Sequence, residues 1–171
     1  MKRYNEAQFI AALKSGEHDF SGSEFVDPIR IDYESGIDFT KLPRLVLDRC
    51  VLGPNFSFGR WENPTASISM INASSKGRVA LMHLKLYQIN LSGLNVSDWL
   101  AVMHSEAEII CLAGAEVGGF TTKGSHGGRL DLTSCISKQS LFETTSFRTV
   151  EVDDAQLGRL TPTSLGELHT A

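Results

Sequence analysis

The hydrophobic residues between positions 79 and 96 follow an unusual spacing. They are separated alternately by two and three positions, and they are Val79, Leu81, Leu84, Leu86, Ile89, Leu91, Leu94 and Val96. An α-helix repeats about every 3.6 residues and a strand about every two, so neither element alone explains the pattern. The underlying period is five residues, which predicts a chain that turns at regular intervals.

The same period continues on both sides of this stretch. Downstream, the positions five apart are Leu112, Val117, Thr122, Gly127, Leu132, Ser137, Phe142, Phe147, Val152 and Leu157, and upstream they are Leu42, Leu47 and Leu52. Stronger apolar clusters recur at 46–47, 68–70, 89–91, 110–112, 130–132 and 150–152, an interval of about 20 residues. Four five-residue sides therefore make one coil. About seven coils stacked at ~4.8 Å predict a rod of roughly 33 Å with one continuous apolar column.

Short motifs inside this pattern resemble the pentapeptide-repeat family. Each has a small residue, a polar residue, a central large apolar residue and two further positions, as in DFSGSEF at 19–25, INLSGLNV at 89–96 and CLAGAEV at 111–117. The resemblance covers roughly residues 19–157 and implies an all-β fold, a right-handed parallel β-helix with four sides and about 20 residues per coil. The chain departs from the family where 56–72 is out of register and where 97–108 shifts the phase.

Two other repeat folds fit the spacing less well. A left-handed β-helix needs a period of six residues, which the chain does not show. The segment LKLYQINL is similar to a leucine-rich repeat, but that fold has one leucine cluster in each unit of about 20–29 residues. Here the five-residue unit persists inside the longer interval, which favours the β-helix with four sides.

The ends of the rod need covering, because an open β-helix end exposes unpaired backbone and apolar surface. Residues 5–15 are predicted to form a helix, with Asn5 and Gln8 as a capping box and Gly16 at its end. We therefore assign 1–18 to an N-terminal capping helix and 19–157 to the β-helix. The tail 158–171 breaks the pattern at Pro162 and either covers the last coil, mediates a dimer or is loose.

Two interruptions are predicted to be loops that leave the rod, and loops on a rigid scaffold often carry binding. One spans 53–67. The other spans 97–108, where Asp98 is expected to cap a helical turn carrying Trp99, and the alternative is that Trp99 packs back on the coil. A wide turn is expected at 122–129, which contains three glycines.

Charge is distributed unevenly along the chain, whose formal net charge is −4. Residues 1–85 carry 11 Lys/Arg and 10 Asp/Glu (11 − 10 = +1), residues 86–171 carry 5 and 10 (5 − 10 = −5), and no Lys or Arg occurs at 86–122. Such a tract disfavours direct binding of nucleic acid, whose phosphates need basic partners. The candidates for binding a protein partner are Trp99 and the acidic residues Asp98, Glu106, Glu108, Glu116, Asp131, Glu151, Asp153 and Asp154.

Motifs for known chemistry are scarce. Phosphate loops, nucleophile elbows, zinc-protease signatures and dinucleotide fingerprints are absent from the sequence, so no catalytic residue, cofactor or metal is predicted. His104 near Glu106 and Glu108 fits an acid–base or metal pair, but it fits a solvated surface better. Three cysteines without a CxxC motif disfavour disulfides and zinc and indicate the cytoplasm. Cys50 and Cys135 are expected to face inward, and no segment is long and apolar enough for a membrane helix.

These observations predict a non-enzymatic protein-binding module. The resemblance implies one specific alternative, a DNA mimic that binds and protects DNA gyrase or topoisomerase. A second alternative is an immunity or effector-type interaction protein. A third is an enzyme acting on a polymer along the rod, for which Asp131 and Glu151, 20 positions apart, would stack on neighbouring coils.

Self-association through the last coil is a further possibility, because a terminal coil that is not covered exposes its apolar column. The candidates for such a homodimer interface are Phe142, Phe147, Val152, Leu157 and Leu160.

Overall fold

The computed structural model describes residues 1–158 and 160–163. In these residues the chain forms a parallel β-solenoid of about 7 turns with about 21 residues per coil, preceded by one α-helix. The predicted fold class is therefore confirmed. Within this part of the chain, no helix is long and apolar enough to cross a membrane.

The helical elements are α1 (Glu6–Lys14) and two short 3₁₀ helices, η1 (Tyr33–Ser35) and η2 (Phe39–Lys41). The strands are β1 (Arg3–Tyr4), β2 (Glu24–Phe25), β3 (Ile29–Ile31), β4 (Arg44–Val46), β5 (Val51–Leu52), β6 (Asn55–Gly59), β7 (Glu62–Ser69), β8 (Ser74–Ser75), β9 (Arg78–Met82), β10 (Lys85–Asn90), β11 (Asn95–Met103), β12 (Glu106–Cys111), β13 (Glu116–Lys123), β14 (His126–Asp131), β15 (Ile136–Ser137), β16 (Ser140–Glu143), β17 (Ser146–Glu151), β18 (Gln156–Leu157) and β19 (Leu160–Thr163).

These strands form two parallel sheets that run along the rod. One sheet has 13 strands and follows the path β1-β2-β5-β8-β11-β13-β15-β18, with β3, β6, β9, β16 and β19 beside this path. The other has six strands in the order β17-β14-β12-β10-β7-β4. Within the described residues, every strand pair is parallel and joins one coil to the next, so the sheets are built by stacking rather than by hairpins.

The two-three spacing follows from the corners of the coil. All eight apolar residues of the stretch 79–96 are buried, with exposed fractions of 3 % or less. Two inward residues on one straight side lie two positions apart, whereas a corner adds one residue between them. His83 and Gly93 are such corner residues, and both have positive φ.

Corner residues with positive φ form two columns along the rod. The first column is Gly22, Arg49, Asn72, Gly93, Gly114, Ser134 and Asp154, and the second is Arg60, His83, His104, Gly124 and Thr144. Each corner bonds to the next coil, as where the Asn72 N–H donates to the Ser92 carbonyl at 2.9 Å and the His104 N–H to the Lys123 carbonyl at 2.6 Å. Neighbouring coils must therefore share the left-handed conformation, even where the residue is not glycine.

Coil length decreases from the N-terminal to the C-terminal part of the rod. Ile29 pairs with Phe56, an offset of 56 − 29 = 27 residues, and Phe56 pairs with Val79, an offset of 79 − 56 = 23. Later offsets are 100 − 79 = 21 and 120 − 100 = 20. The first coil is longer because η1 and η2 are inserted in it. A period of about 20 is therefore right only for the later coils.

The helix α1 covers the N-terminal end of the apolar column, as predicted. Asn5 and Gln8 form the predicted capping box, and Gly16 follows the helix with φ +91°. The Phe9 ring is fully buried, with its centroid 4.8 Å from that of Phe20 and 4.9 Å from that of Phe25. The sequence did not indicate the short strand β1, which pairs with β2 and extends the first sheet by one strand.

The two predicted loops are wrong, because both segments remain in the rod. Residues 53–67 contribute β6 and most of β7, and Trp61 is fully buried against Phe39 and Phe58. Residues 97–108 belong to β11 and β12, so Asp98 caps no helical turn. The extra residues are absorbed by a register shift between Val96 and Trp99. The turn expected at 122–129 is an ordinary corner at Gly124.

Several polar residues at inward positions form hydrogen bonds between coils. Ser105 and Ser125 are fully buried one residue after the second corner column. The Ser105 N–H donates to Ser125 Oγ at 3.3 Å, and Ser125 Oγ donates to the Val102 carbonyl at 2.9 Å. Serine therefore fits an apolar column, because its hydroxyl bonds to the backbone of the coil beside it.

Two predicted interface residues at the C-terminal end belong to the core. Phe142 and Phe147 are buried, and Val152 and Leu157 are partly buried and pack against the core. Leu160 lies in β19 and pairs with Ser140. An end-to-end contact would therefore involve the later coil rather than the two phenylalanines. Beyond residue 163, the tail predicted from 158 lies outside the described residues.

Two of the three cysteines are buried at the inward positions where they were expected. Burial raises the pKa of Cys50 and of Cys135 from 9.0 to about 11. Cys111 is half-buried, with its Sγ 3.1 Å from Ser92 Oγ. The thiols of Cys50 and Cys135 therefore stay protonated in the folded chain at a pH where the unfolded chain begins to ionise them.

Removing the Phe9 ring should uncover the apolar column. We expect Phe9→Ala to lower the free energy of unfolding by about 3–5 kcal/mol, because it leaves a cavity among Phe20 and Phe25. Urea denaturation measures the change, and Lys14→Ala on the exposed side of the same helix is the matched control. Equal stability of the two variants would contradict the capping role of α1.

The buried cysteines predict a pH dependence with a definite sign. Their pKa values are raised on folding, so their contribution to stability is complete below about pH 9 and is lost as the pH rises towards 11. The double variant Cys50→Ala/Cys135→Ala should lose less stability across this window than the parent chain. Cys111→Ser is the control, and its free energy of unfolding should change with pH as that of the parent chain does.

In the native chain near pH 8, a thiol reagent should modify Cys111 before the two buried cysteines.

Candidate functional site

The acidic candidates do not converge on one face. Asp98 lies in β11 and Glu116 in β13, both in the larger sheet, whereas Glu106 and Glu108 lie in β12 of the smaller sheet. Asp131 and Glu151 end β14 and β17, and Asp153 and Asp154 occupy the corner that follows. Successive residues of one coil point in different directions around the rod, so closeness in sequence did not mean a shared surface.

Basic residues from other coils pair with many of these carboxylates. Asp98 contacts Arg78 at 3.4 Å, and Glu106 contacts Lys85 at 3.2 Å. Glu108 pairs with Arg148, although 40 residues separate them in the chain. Stacking brings residues 20 or 21 apart into register. It therefore places Lys and Arg from other coils beside the tract 86–122, which contains neither residue. The acidic tract is therefore not a uniformly acidic surface.

Asp131 and Glu151 stack on neighbouring coils as predicted from their spacing. Arg129 Nη2 donates to Asp131 at 3.1 Å and to Glu151 at 2.5 Å. Asp131 is nearly buried and also accepts from the Thr133 N–H at 3.0 Å. This arrangement stabilises a corner, and its carboxylates are already engaged.

Trp99 and His104 also lie on the rod. The Trp99 ring is half-buried and covers Gly119, where an added Cβ would lie 2.0 Å from the ring. His104 stacks on His83 in the second corner column, with centroids 5.2 Å apart and 13° between the ring planes. Among residues 1–158 and 160–163, no group of three or more His, Cys, Asp or Glu could hold a metal ion.

A groove of about 760 Å³ lies on the smaller sheet, and we call it the β12 groove. It runs across the coils, and its centre is the segment Glu106–Ala107–Glu108. Its lining residues are Pro64, Lys85, Leu86, Tyr87, Glu106, Ala107, Glu108, His126, Gly127, Ser146, Phe147 and Arg148.

Strand alternation explains how the groove is built. Leu86, Ala107 and Gly127 are in register, and the Leu86 and Ala107 side chains face the core. The residues on either side of this row point outwards and form two walls. One wall carries Lys85, Glu106 and His126, and the other carries Tyr87, Glu108 and Arg148. Because the side chains of this row face the core, the floor between the two walls is mostly backbone.

Gly128 allows the long-range ion pair in the second wall. An added Cβ at Gly128 would lie 2.5 Å from Glu108 Oε1 and 2.7 Å from Arg148 Nη2. The glycine therefore leaves a gap on one coil, through which Arg148 reaches Glu108 two coils away. Any side chain at this position would occupy the space that the pair now fills.

Several groove residues were not predicted from the sequence. Tyr87 exposes 49 % of its surface, and Lys85, His126 and Arg148 are also exposed. A signal was present, because Tyr87, Glu108, Gly128 and Arg148 follow one another at intervals of 21, 20 and 20 residues. Once the coil length is known, these positions fall in a single outward row.

The gap at Gly128 should matter more to stability than the ion pair that spans it. We expect Gly128→Ala to lower the free energy of unfolding by about 1–3 kcal/mol, because the added Cβ would overlap both the side chain and the backbone carbonyl of Glu108. Arg148→Ala removes the pair without an overlap and should change the same quantity by about 1 kcal/mol or less. Urea denaturation of both variants checks this, and the opposite ranking would contradict the packing described.

Comparison of the chain with protein-family models, with curated protein sequences and with solved structures finds no match in any of the three.

Proposed function

We propose that this chain is a non-enzymatic protein-binding module and that its β12 groove is the surface that recognises a protein partner. The observation that carries the proposal is an exposed tyrosine in an open groove whose walls hold side chains of both charges. Aromatic residues next to hydrogen-bonding and charged groups are characteristic of protein interfaces.

The scaffold beneath the groove supports this role. The strands of the groove are joined along their length, with Leu86 paired to Ala107 and Ala107 to Gly127. The strands β7, β10, β12 and β14 are each paired on both sides, which holds the walls at a constant separation. A surface organised before binding needs little further ordering when the partner arrives, which favours affinity.

Tyr87 is the residue expected to contribute most to binding. About half of its surface is exposed, and Glu108 and Arg148 in the same wall are charged. Burying a tyrosine ring in an interface removes a large apolar area from water while its hydroxyl keeps a hydrogen-bond partner. A partner that covers the groove would bury this ring at the edge of the charged centre.

The ion pairs bear on the alternative functions. A DNA mimic needs a regular row of carboxylates without cations, whereas Glu106, Glu108, Asp98, Asp131 and Glu151 all have basic partners. The pairing favours recognition of a mixed-charge protein surface over mimicry of DNA. An immunity or effector-type role is one form of such recognition, and the groove is as compatible with that role as with binding of any other protein partner.

We place the chain among the pentapeptide-repeat proteins as a divergent member. Support comes from the five-residue spacing of buried residues and from small residues such as Cys50, Ala73 and Cys135 at inward positions. The longer first coils and the inward Val79, Leu84 and Leu94 are its departures from the family pattern.

A variant of the aromatic residue tests the proposed surface. The tagged chain, its Tyr87→Ala variant and its Tyr33→Ala variant would each be used to capture partners from the host lysate. Tyr33 is the matched control, because it is 58 % exposed and lies in η1, away from the groove. We expect Tyr87→Ala to weaken binding of the captured protein roughly tenfold or more, as for an aromatic interface residue, with unfolding unchanged.

The outcomes separate the candidate functions. A partner lost with Tyr87→Ala and kept with Tyr33→Ala supports the β12 groove. A partner held equally by all three chains contradicts the groove as the recognition surface. Protection of gyrase in a supercoiling assay, unaffected by Tyr87→Ala, would support the DNA mimic instead.

A further inference from the structure

We propose that the β12 groove binds an extended segment of a partner protein through a basic side chain, which lies between Glu106 and Glu108. This inference rests on the proposed function, because it names the chemistry that the same groove would recognise. It follows from the positions of the charged side chains in the groove, from the floor between them and from the basic residues that now form ion pairs with the two carboxylates.

Two carboxylates flank the floor at the centre of the groove. Glu106 and Glu108 are exposed on either side of the inward Ala107, and both line the groove. On the next coil, Gly127 and Gly128 add no side chains of their own, and the space beside Gly128 is filled by the ion pair of Glu108 with Arg148. The centre therefore presents two carboxylate acceptors, and a partner's cation would reach Glu108 by displacing Arg148.

The chain already places its own cations on these two carboxylates from opposite ends of the groove. Lys85 Nζ lies 3.2 Å from Glu106, and Arg148 reaches Glu108 from two coils away. His126 is a second neighbour of Glu106, with Nε2 at 3.8 Å. The carboxylates are therefore positioned to accept basic groups, and the internal cations show the chemistry that fits.

These internal pairs are exchangeable because they are exposed. Side-chain exposure is 49 % for Lys85 and 47 % for Glu106, and it is 70 % for Arg148 and 51 % for Glu108. Exposed pairs contribute little free energy and are screened by salt. A guanidinium held by a bound segment would be shielded from water and could bond a carboxylate in bidentate geometry, which is the stronger interaction.

Tyr87 completes the complementarity to a basic side chain. It is in the same outward row as Glu108, one coil away, and its ring is half exposed. An aromatic face attracts a guanidinium or ammonium group, and it also packs against the aliphatic part of Arg or Lys. The same chain shows this contact elsewhere, where the Arg60 guanidinium lies 4.5 Å from the centre of the Tyr33 ring.

Competition within the second wall gives the inference a distinctive consequence. If a partner's cation replaces Arg148 on Glu108, then removing Arg148 should strengthen binding rather than weaken it. A partner that instead offered a carboxylate to Arg148 would bind more weakly to the same variant. The direction of the change therefore distinguishes a basic segment from an acidic one.

The experiment uses displayed random heptapeptides selected on the intact chain at about 50 mM salt, where exposed charges are weakly screened. Selected peptides are assigned to the groove by backbone NMR shifts at Tyr87, Ala107 and Gly127. We expect the groove binders to be enriched in Arg and Lys. Replacing the essential Arg by citrulline, which keeps the shape and removes the charge, should weaken binding roughly tenfold.

Variants of the chain then test the carboxylates. The double variant Glu106→Gln/Glu108→Gln should weaken the same peptide roughly tenfold, and Arg148→Ala should tighten it by about threefold. Glu143→Gln is the matched control, because Glu143 forms a comparable exposed pair with Lys123 at 2.9 Å on the other sheet. It should leave the dissociation constant unchanged.

The outcomes separate this inference from the proposed function. Groove binders without basic residues, or binders that weaken with Arg148→Ala, would overturn the basic segment while leaving the groove as a binding surface. Selection of no peptide that shifts the groove residues would count against both. The inference would be established by three results together: selected peptides enriched in Arg, weaker binding when that Arg is replaced by citrulline, and tighter binding to the Arg148→Ala variant.

Discussion

Backbone hydrogen bonding between successive coils is the constraint on which the rest of this structure depends. Strands inside the rod bond to the coils before and after them, and corners also bond to the next coil, as where the Gly93 N–H donates to the Ala113 carbonyl. Such pairing requires neighbouring coils to repeat the same backbone shape. Left-handed residues therefore stack in columns, and Arg49, Asn72 and His83 adopt a conformation that glycine would enter more easily.

The same constraint converts sequence intervals into contacts. Residues 20 or 21 apart become neighbours in register, and residues 40 apart can meet when the coil between them carries glycine, as Glu108 and Arg148 do across Gly128. Charges that are segregated along the chain are thereby mixed on the surface. The β12 groove arises in the same way, since its walls are outward rows and its floor is an inward row with small residues at its centre.

The interior and the exterior of the molecule contribute differently to its stability. The interior is an apolar column closed at one end by Phe9, with buried hydroxyls such as that of Ser125 bonded to the backbone. The exterior carries exposed ion pairs whose energies are small. Exchanging a surface pair for a partner's side chain therefore leaves the scaffold intact, which allows a rigid fold to present an adaptable pattern of charges.

Features that depend on local spacing could be predicted from the order of the amino acids alone. The alternating spacing of two and three predicted the coil, because side-chain alternation and corners act over a few residues, and Asn5 with Gln8 predicted the start of the helix for the same reason. The loops at 53–67 and 97–108 were predicted wrongly, because a bulge and a loop both interrupt a periodic pattern and only inter-coil pairing distinguishes them. The groove, its Tyr87 and the pairing of Glu108 with Arg148 were decided by the tertiary structure, since they depend on the length of every intervening coil.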